Sequence, residues 1–282
     1  MGILDLLPSG IFGYISIFFC VYVGYTILNP TKVDTAEIPN NNDHDDDDDD
    51  EDDEPPRNFT AKQLLHFDGK EEPKTEEIKP VYLSLNGTVF DVSKGRDFYG
   101  PGGPYELFAG RECGVALAKM SFDAEFLDDM DAIDDLNYGE KDELDNWMHK
   151  FEHYRCYPIK GRLVPEKRLP DPDRVLTLEE LWENRGCQAV PEGYAVSPIY
   201  IGAQDKVYDM SFGGVSFYGE GCSYNVFAGR NAARSLATMS LDPDDAKNPD
   251  ISDLREKQIK TLNDWKKTFE QRKLYPIVGR LG

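Results

Sequence analysis

The residue types that most often ligate metals or attack substrates are scarce in this sequence, and their spacing suits neither task. The chain has 282 residues and only 4 histidines, none of them after His153. Five cysteines are present, and no two have the spacing of a zinc site or a redox pair. They are Cys20, Cys113, Cys156, Cys187 and Cys222. The sequence also contains no hydrolase triad, phosphate-binding loop or zinc motif, so we predict that the protein is not an enzyme.

The charge of the chain is concentrated in one short segment. Residues 31–58 carry 13 acidic and 2 basic side chains, which is half of the net charge of -22. Such a run repels itself and stays extended, so it predicts an acidic disordered linker at 31–58. Because binding to phosphate groups needs clustered Lys and Arg, the composition predicts no nucleic-acid partner.

The N-terminal region contains a hydrophobic segment. Residues 11–28 have no charged side chain, and 18 residues of helix are just long enough to cross a hydrocarbon core of about 30 Å. The residues before this segment contain no Lys or Arg, unlike a secretory signal peptide. We therefore predict an uncleaved membrane anchor at 1–30 with its transmembrane helix at about 11–28. Lys32, the one flanking base, favours a single-pass topology in which the domains face the cytosol.

The rest of the chain is an internal repeat. Phe98-Tyr99-Gly100 recurs as Phe217-Tyr218-Gly219, and 13 of 25 positions are identical between 98–122 and 217–241. A period near 118 residues is too long for a solenoid unit. It predicts two domains of one fold, at 59–165 and 175–282, joined by a linker at 166–174.

Each repeat has the pattern of a mixed α and β domain. Thr60 and Thr177 have the spacing of N-caps with capping boxes, and Asn86-Gly87 between two strand-like runs predicts a hairpin. A helix is predicted after the glycine-rich loop, around 108–119 and 227–238. A late helix in each copy carries aromatic residues at helical spacing, which we assign to the core. They include Trp147, Phe151, Trp265 and Phe269. The fold class is therefore α+β.

The loop motifs and their flanks resemble one family. The stretches FYGPGGPYELFAGR and FYGEGCSYNVFAGR, followed in order by a late Trp and by YPIKGRL or YPIVGRL, are similar to the membrane-associated progesterone receptor components. These are cytochrome b5-like haem and steroid-binding domains behind one N-terminal anchor. The resemblance implies two tandem cytochrome b5-like domains behind the transmembrane helix and the acidic linker.

The resemblance also implies a cofactor, ferric haem b. True cytochromes b5 hold haem between two histidines, an arrangement that is impossible in the second copy because it contains no histidine. The family instead uses a loop tyrosine as the iron ligand, and by motif position this is Tyr105 in the first copy and Tyr224 in the second. The supporting haem contacts of the family map to four more residues, Tyr99, Tyr157, Tyr218 and Tyr275.

The chain departs from the family at the position before the last tyrosine. The family often has a lysine there, which reaches a haem propionate, whereas this chain has Cys156 and Leu274. Arg155 and Lys273, one residue earlier, are candidate substitutes. The second loop also lacks the two prolines of the first, which predicts a more mobile loop and weaker haem binding in the second copy. A thiolate of Cys222 is an alternative iron ligand there.

The resemblance implies a non-catalytic haem-binding protein of the endoplasmic reticulum or other endomembranes. Its expected partners are haem monooxygenases or sterol-handling proteins, with a haem-mediated dimer left open. Three alternatives remain: a steroid or lipid carrier without haem, an adaptor, and a cytochrome b5-like electron carrier, against which the missing histidines count. Two glycosylation sequons, beginning at Asn58 and Asn86, would report a lumenal location if they carried sugar.

Overall fold

The computed structural model describes residues 54–73 and 76–282. The predicted transmembrane helix at 11–28 and nearly all of the acidic segment 31–58 lie outside these ranges, so both stay predictions. Among the described residues, no helix has the length and apolar character that a membrane crossing needs. These residues belong to one compact unit that contains two β-sheets.

The first sheet has four strands and is accompanied by short helices. The strands are β1 (Arg57–Phe59), β2 (Tyr82–Leu85), β3 (Thr88–Asp91) and β4 (Ile159–Leu163), in the order β1-β4-β3-β2. The helices are α1 (Ala61–Leu64), α2 (Arg96–Tyr99), α3 (Gly114–Ala118) and α4 (Tyr138–His149). Strand β1 pairs parallel with β4, and the other pairs are antiparallel. The predicted hairpin is confirmed, since Asn86 and Gly87 join β2 to β3 with φ of 48° and 75°.

The ends of the helices follow from local sequence. Thr60 caps α1 in a capping box with Gln63, as predicted. Helix α4 begins after the cap Asn137 and continues into a π-helical turn, Lys150–Tyr154. The helix predicted around 108–119 is shorter than expected: a 3₁₀ turn at Glu106–Phe108 and Gly110, with φ of 76°, separate the loop from α3.

The second half repeats this order of elements and adds one short strand and one short helix. Its strands are β5 (Val175–Leu176), β6 (Tyr200–Ala203), β7 (Lys206–Asp209), β8 (Arg230–Asn231) and β9 (Ile277–Leu281), in the order β5-β9-β7-β6-β8. Its helices are α5 (Leu178–Glu183), α6 (Val215–Tyr218), α7 (Ala233–Thr238), α8 (Pro243–Lys247) and α9 (Glu256–Lys267). Strand β5 pairs parallel with β9, as β1 does with β4. The helix predicted around 227–238 is again shorter and begins only at Ala233.

Each half has aromatic and aliphatic side chains between its sheet and helices. In the first half Phe90 and Phe151 are fully buried and contact edge to face, with ring centroids 5.4 Å apart. In the second half Tyr208 and Phe269 occupy the equivalent places at 5.4 Å. Phe151 and Phe269 therefore lie in the core as predicted, and Trp147 is buried as well.

The two halves are joined through the side chain of Asn58 on β1, which has no exposed surface. Its Nδ2 donates to Ser211 Oγ at 2.9 Å and to the Val196 carbonyl at 3.1 Å. Its Oδ1 accepts from the Ala195 backbone N–H at 2.7 Å. A residue that the sequence marks as a sequon is thus a buried contact between the halves.

Gln63 of α1 makes a second connection. Its Nε2 donates to the Phe212 carbonyl at 2.6 Å and to the Lys273 carbonyl at 2.9 Å. Since Lys273 lies two residues before Tyr275, the first half helps to hold the end of the second half's late helix.

Candidate functional site

The loop between α2 and α3 is folded by its own backbone hydrogen bonds. Gly103 N–H donates to the Gly100 carbonyl at 2.9 Å, and Tyr105 N–H donates to the Phe98 carbonyl at 2.8 Å. Gly102 lies between them with φ of 80°, a conformation that favours glycine. This turn sends the chain back along α2 and places the Tyr105 ring beside the Tyr99 ring.

The three tyrosines predicted for the first half lie together. Ring centroids are 5.6 Å apart for Tyr99 and Tyr105 and 6.4 Å apart for Tyr99 and Tyr157, and each residue is less than 10% exposed. The Tyr157 hydroxyl lies against Gly95, where a Cβ atom would come within 2.5 Å of it. Tyr99 lies at the end of α2, Tyr105 in the loop and Tyr157 just before β4. These three elements thus bring their phenol rings together in one apolar wall.

An aromatic stack that the sequence did not predict covers Tyr105. The Phe122 ring is nearly parallel to those of Tyr105 and Phe108, at centroid distances of 5.7 and 5.5 Å. The repeat offered one sequence signal for this residue, because the equivalent position in the second copy is Leu241, which is not aromatic. Phe122 therefore covers one face of the loop tyrosine in the first half.

The second half arranges its tyrosines in the same way. Tyr218 and Tyr224 have ring centroids 5.8 Å apart, and Tyr224 N–H donates to the Phe217 carbonyl at 3.0 Å. Gly221 has the same φ, 80°, as its counterpart in the first loop. Asn225 Nδ2 adds a bond to the Tyr218 carbonyl at 3.0 Å. The loop without prolines thus has the same backbone hydrogen bonds as the first loop and one additional amide bond, and its greater mobility stays a prediction.

A cleft opens beside Tyr224, which is only partly buried. Its volume is about 120 Å³, and its walls come from the loop, α7 and α9. The lining residues are Tyr218, Tyr224, Phe227, Ser235, Leu236, Met239, Leu241 and Trp265. Trp265 is partly buried and packs against the second-half core, as predicted, with its ring centroid 5.9 Å from that of Phe269. It also lines the cleft, which helical spacing did not indicate.

Burial sets the acid–base state of the supporting tyrosines. It raises the pKa of Tyr99 well above the usual value, with the Tyr157 hydroxyl adding to the effect, and it raises the pKa of Tyr218 similarly. Burial raises the pKa of Tyr275 to about 12, and the Arg57 guanidinium opposes that shift. These phenols stay protonated at neutral pH and can donate hydrogen bonds.

The basic substitutes named from the sequence lie beside the loop helices. The guanidinium carbon of Arg155 is 6.0 Å from the Phe98 ring centroid, and Lys273 Nζ is 5.8 Å from that of Phe217. Each half thus presents one cation at the equivalent edge of its tyrosine cluster.

Other candidate ligands are placed less favourably. His66, His149 and His153 are exposed, and the rings of the last two contact each other at 4.6 Å. The Cys222 thiol donates to the Val215 carbonyl at 3.6 Å, which fits a filler better than an iron ligand. Within 54–73 and 76–282, no group of three or more His, Cys, Asp or Glu side chains could hold a metal ion.

The residues present fit a haem in chemical type. A loop phenol can supply an anionic oxygen to iron, the apolar walls suit a porphyrin face, and the cations suit its carboxylates. The cleft, at about 120 Å³, is smaller than the roughly 300–1,000 Å³ of pockets that enclose a ligand, so it would not enclose such a molecule.

Comparison with known proteins links this chain to characterised sequences. Residues 67–156 match the family model described as "Cytochrome b5-like Heme/Steroid binding domain". "Probable steroid-binding protein 3" of Arabidopsis thaliana is 42% identical over 106 residues, which cover 38% of this chain and 97% of that protein.

Two further relatives are longer than the matched region. "Membrane-associated progesterone receptor component 2" of Homo sapiens is 38% identical over 109 residues, which cover 38% of this chain and 45% of that protein. "Cytochrome P450 regulator dap1" of Schizosaccharomyces pombe is 38% identical over 113 residues, which cover 38% of this chain and 63% of that protein. The match therefore spans less than two thirds of either relative.

Proposed function

Since the chain belongs to the family of cytochrome b5-like heme/steroid-binding domains, we propose that it is a non-catalytic, membrane-anchored haem-binding protein of the progesterone receptor component type. Residues 67–156 supply one domain with the cytochrome b5-like α+β fold. Residues 175–282 would be a second copy of it. The repeated strand order and the parallel pairing of the first and last strands in each half support this extension.

The convergence of three tyrosines in each half carries the proposal. Tyr105 and Tyr224 would be the iron ligands, since each sits on the turn that brings it against a buried tyrosine. When bound, the haem would supply a ferric centre, which a phenolate oxygen stabilises over the ferrous state. The tyrosine that meets the iron would release its proton.

The neighbouring residues would bind and orient the group. Tyr99 and Tyr218 have raised pKa values and keep their protons, so they would serve as hydrogen-bond donors. Tyr157 and Tyr275, the other two predicted contacts, would complete the walls that exclude water. Arg155 and Lys273 would neutralise the propionates.

The partners and the location are proposed from the relatives and the N-terminal sequence. The name "Cytochrome P450 regulator" of one relative supports haem monooxygenases as partners, and "steroid-binding" in another supports a steroid or sterol ligand. The hydrophobic segment 11–28 would anchor the chain in the endoplasmic reticulum or another endomembrane, with both domains in the cytosol.

A second candidate function is carriage of a steroid or another small lipid without haem. The apolar cleft beside Tyr224 favours it, because the cleft exists without displacement of any side chain. An adaptor role and electron transfer have no comparable support from the geometry.

A titration of the full chain with ferric haem tests the proposal. We expect a saturable change in the haem absorption spectrum that ends at one or two haems per chain. A linear, unsaturated response, identical to that of an unrelated acidic protein, would overturn haem binding and leave the lipid carrier as the better hypothesis.

A further inference from the structure

The cleft of the second half has mainly apolar walls, and its lining also includes the Tyr218 and Tyr224 phenols and one buried serine hydroxyl. Phe227, Leu236 and Trp265 line it, and the side chains of Met239 and Leu241 at its rim are 75% and 49% exposed. An open, lipophilic mouth of this kind suits an apolar molecule that enters from solvent.

The buried serine is Ser235 on α7. The residue has no exposed surface, and its Oγ has no hydrogen-bond partner among the described residues. Thr238, one turn later, shows the usual alternative, since its Oγ1 donates to the Arg234 carbonyl at 2.8 Å. A buried hydroxyl without a partner is unfavourable, and a ligand that supplies one removes that penalty.

The first half has no serine at the position equivalent to Ser235. The residue equivalent to Ser235 is Ala116, and the residue equivalent to Leu241 is Phe122, which stacks on Tyr105. At these two positions the second half has a hydroxyl and a leucine at the rim of the cleft, whereas the first half has a buried methyl group and a phenylalanine that stacks on its loop tyrosine. The two halves should differ in what they accept.

We propose that the second-half cleft binds a small aromatic or alicyclic molecule that carries one hydroxyl or carbonyl oxygen, and that Ser235 Oγ is the hydrogen-bond partner of that oxygen. The volume of about 120 Å³ fits a single ring, since a dry cavity of similar size in another protein binds benzene. The site rests on the proposed role of the second half as a ligand-binding domain, but it needs neither haem nor iron.

Two matched probes, 4-bromophenol and bromobenzene, test the site on the full chain. Both quench tryptophan fluorescence, and Trp265 lines the cleft. A Trp265→Phe variant identifies its share of the signal from the 3 tryptophans of the chain. We expect saturable quenching of Trp265, with 4-bromophenol binding about 3- to 10-fold more tightly, the range of one net hydrogen bond.

Three variants separate the roles of the residues. Ser235→Ala should abolish the preference for the phenol, because it removes the oxygen and little volume. Leu241→Phe should weaken both probes by narrowing the mouth. Ser252→Ala, an exposed serine away from the cleft, should change nothing.

The results that overturn the inference are distinct from failure of haem binding. It is wrong if Trp265 shows no saturable quenching, if the phenol preference survives Ser235→Ala, or if wild type binds both probes equally, which would mean that a water already satisfies Ser235. A chain that binds 4-bromophenol but no haem would refute the haem proposal and retain this site.

Discussion

Glu112, to which no sequence motif assigns a role, holds the β2–β3 hairpin in place. Its carboxylate is 1% exposed and accepts from Ser84 Oγ and from the N–H groups of Asn86, Gly87 and Gly114. These bonds tie the β2–β3 turn to the start of α3. Burial raises the pKa of Glu112, and the same hydrogen bonds oppose the shift.

Replacing Glu112 by Gln should destabilise the protein. The amide keeps one accepting oxygen and turns a donor toward other donors, which costs about 2 to 4 kcal/mol. Denaturant unfolding of the full chain measures the loss. Glu106→Gln is the control, since that exposed carboxylate accepts from the Gly102 N–H alone and should change stability by less than about 1 kcal/mol.

The pH dependence of this difference has a definite sign. A carboxyl group whose pKa is raised on folding contributes stability that is complete below its unfolded pKa, near 4.5, and that is lost as the pH rises through the folded pKa. The gap between wild type and Glu112→Gln should therefore be wider at pH 4 than at pH 8. A gap that widens toward pH 8 would mean that the hydrogen bonds outweigh burial.

Residue types in a motif predicted some of the site but not all of it. The tyrosines could be named because they belong to motifs at fixed positions, and the structure brings each set together. Phe122 and Ser235 could not be assigned to the sites, and Trp265 could be assigned only to the core, because their contacts with the loop depend on how distant elements pack. Local sequence patterns carry no information about contacts between residues that are far apart along the chain.

At the scale of elements, β1 and α1 connect the two halves. The sequence predicted the capping box of α1, since capping depends on residues three apart. It did not predict that Asn58 and Gln63 bond to the second half. Those contacts join residues more than 130 positions apart, beyond the reach of any local pattern.

Asn58→Ala should weaken this connection. The substitution leaves Ser211 Oγ, the Val196 carbonyl and the Ala195 N–H without their partner, for a cost of about 2 to 4 kcal/mol. Urea unfolding of the full chain should show a lower midpoint and separate transitions for the halves. Asn263→Ala is the matched control, because Asn263 is exposed in α9 and the substitution should change stability by about 0.5 kcal/mol or less. A loss below about 1 kcal/mol for Asn58→Ala would show that the halves are joined mainly by other contacts.

At the scale of the whole molecule, the proposed membrane topology can be tested by glycosylation, provided that the sequon is accessible in the folded protein. Asn58 is unsuitable, since its amide is buried and bonded. Asn86 is exposed on the hairpin turn and could carry a glycan. With the domains in the cytosol, we expect no sugar on Asn86 of the native chain.

A control makes that absence informative. Replacing residues 1–30 by a cleaved secretory signal should send the same domains to the lumen and produce a glycosidase-sensitive mass shift that Asn86→Gln removes. The same shift in the native chain would contradict the cytosolic topology.

The two halves also differ as ligand sites in ways that the loop sequence alone did not indicate. Missing prolines predicted weaker haem binding by the second half, yet its loop has the same backbone bonds and a cleft beside Tyr224. In the first half, Phe122 stacks on the Tyr105 ring, with the centroids 5.7 Å apart. Which half binds haem more tightly therefore depends on the neighbours of the loop tyrosine as well as on the loop itself.

The most direct test of the central claim is the haem affinity of the full chain with one or both loop tyrosines changed to Phe. Each change removes a phenol oxygen and keeps the ring, so circular dichroism should stay native. We expect Tyr105→Phe and Tyr224→Phe each to lower the haem content at saturation, and the double variant to lose the spectrum of the bound ferric form and at least about 10-fold in affinity, an energy near 1.4 kcal/mol. An unchanged spectrum and affinity in the double variant would contradict tyrosine ligation and place the iron, if bound at all, on another residue.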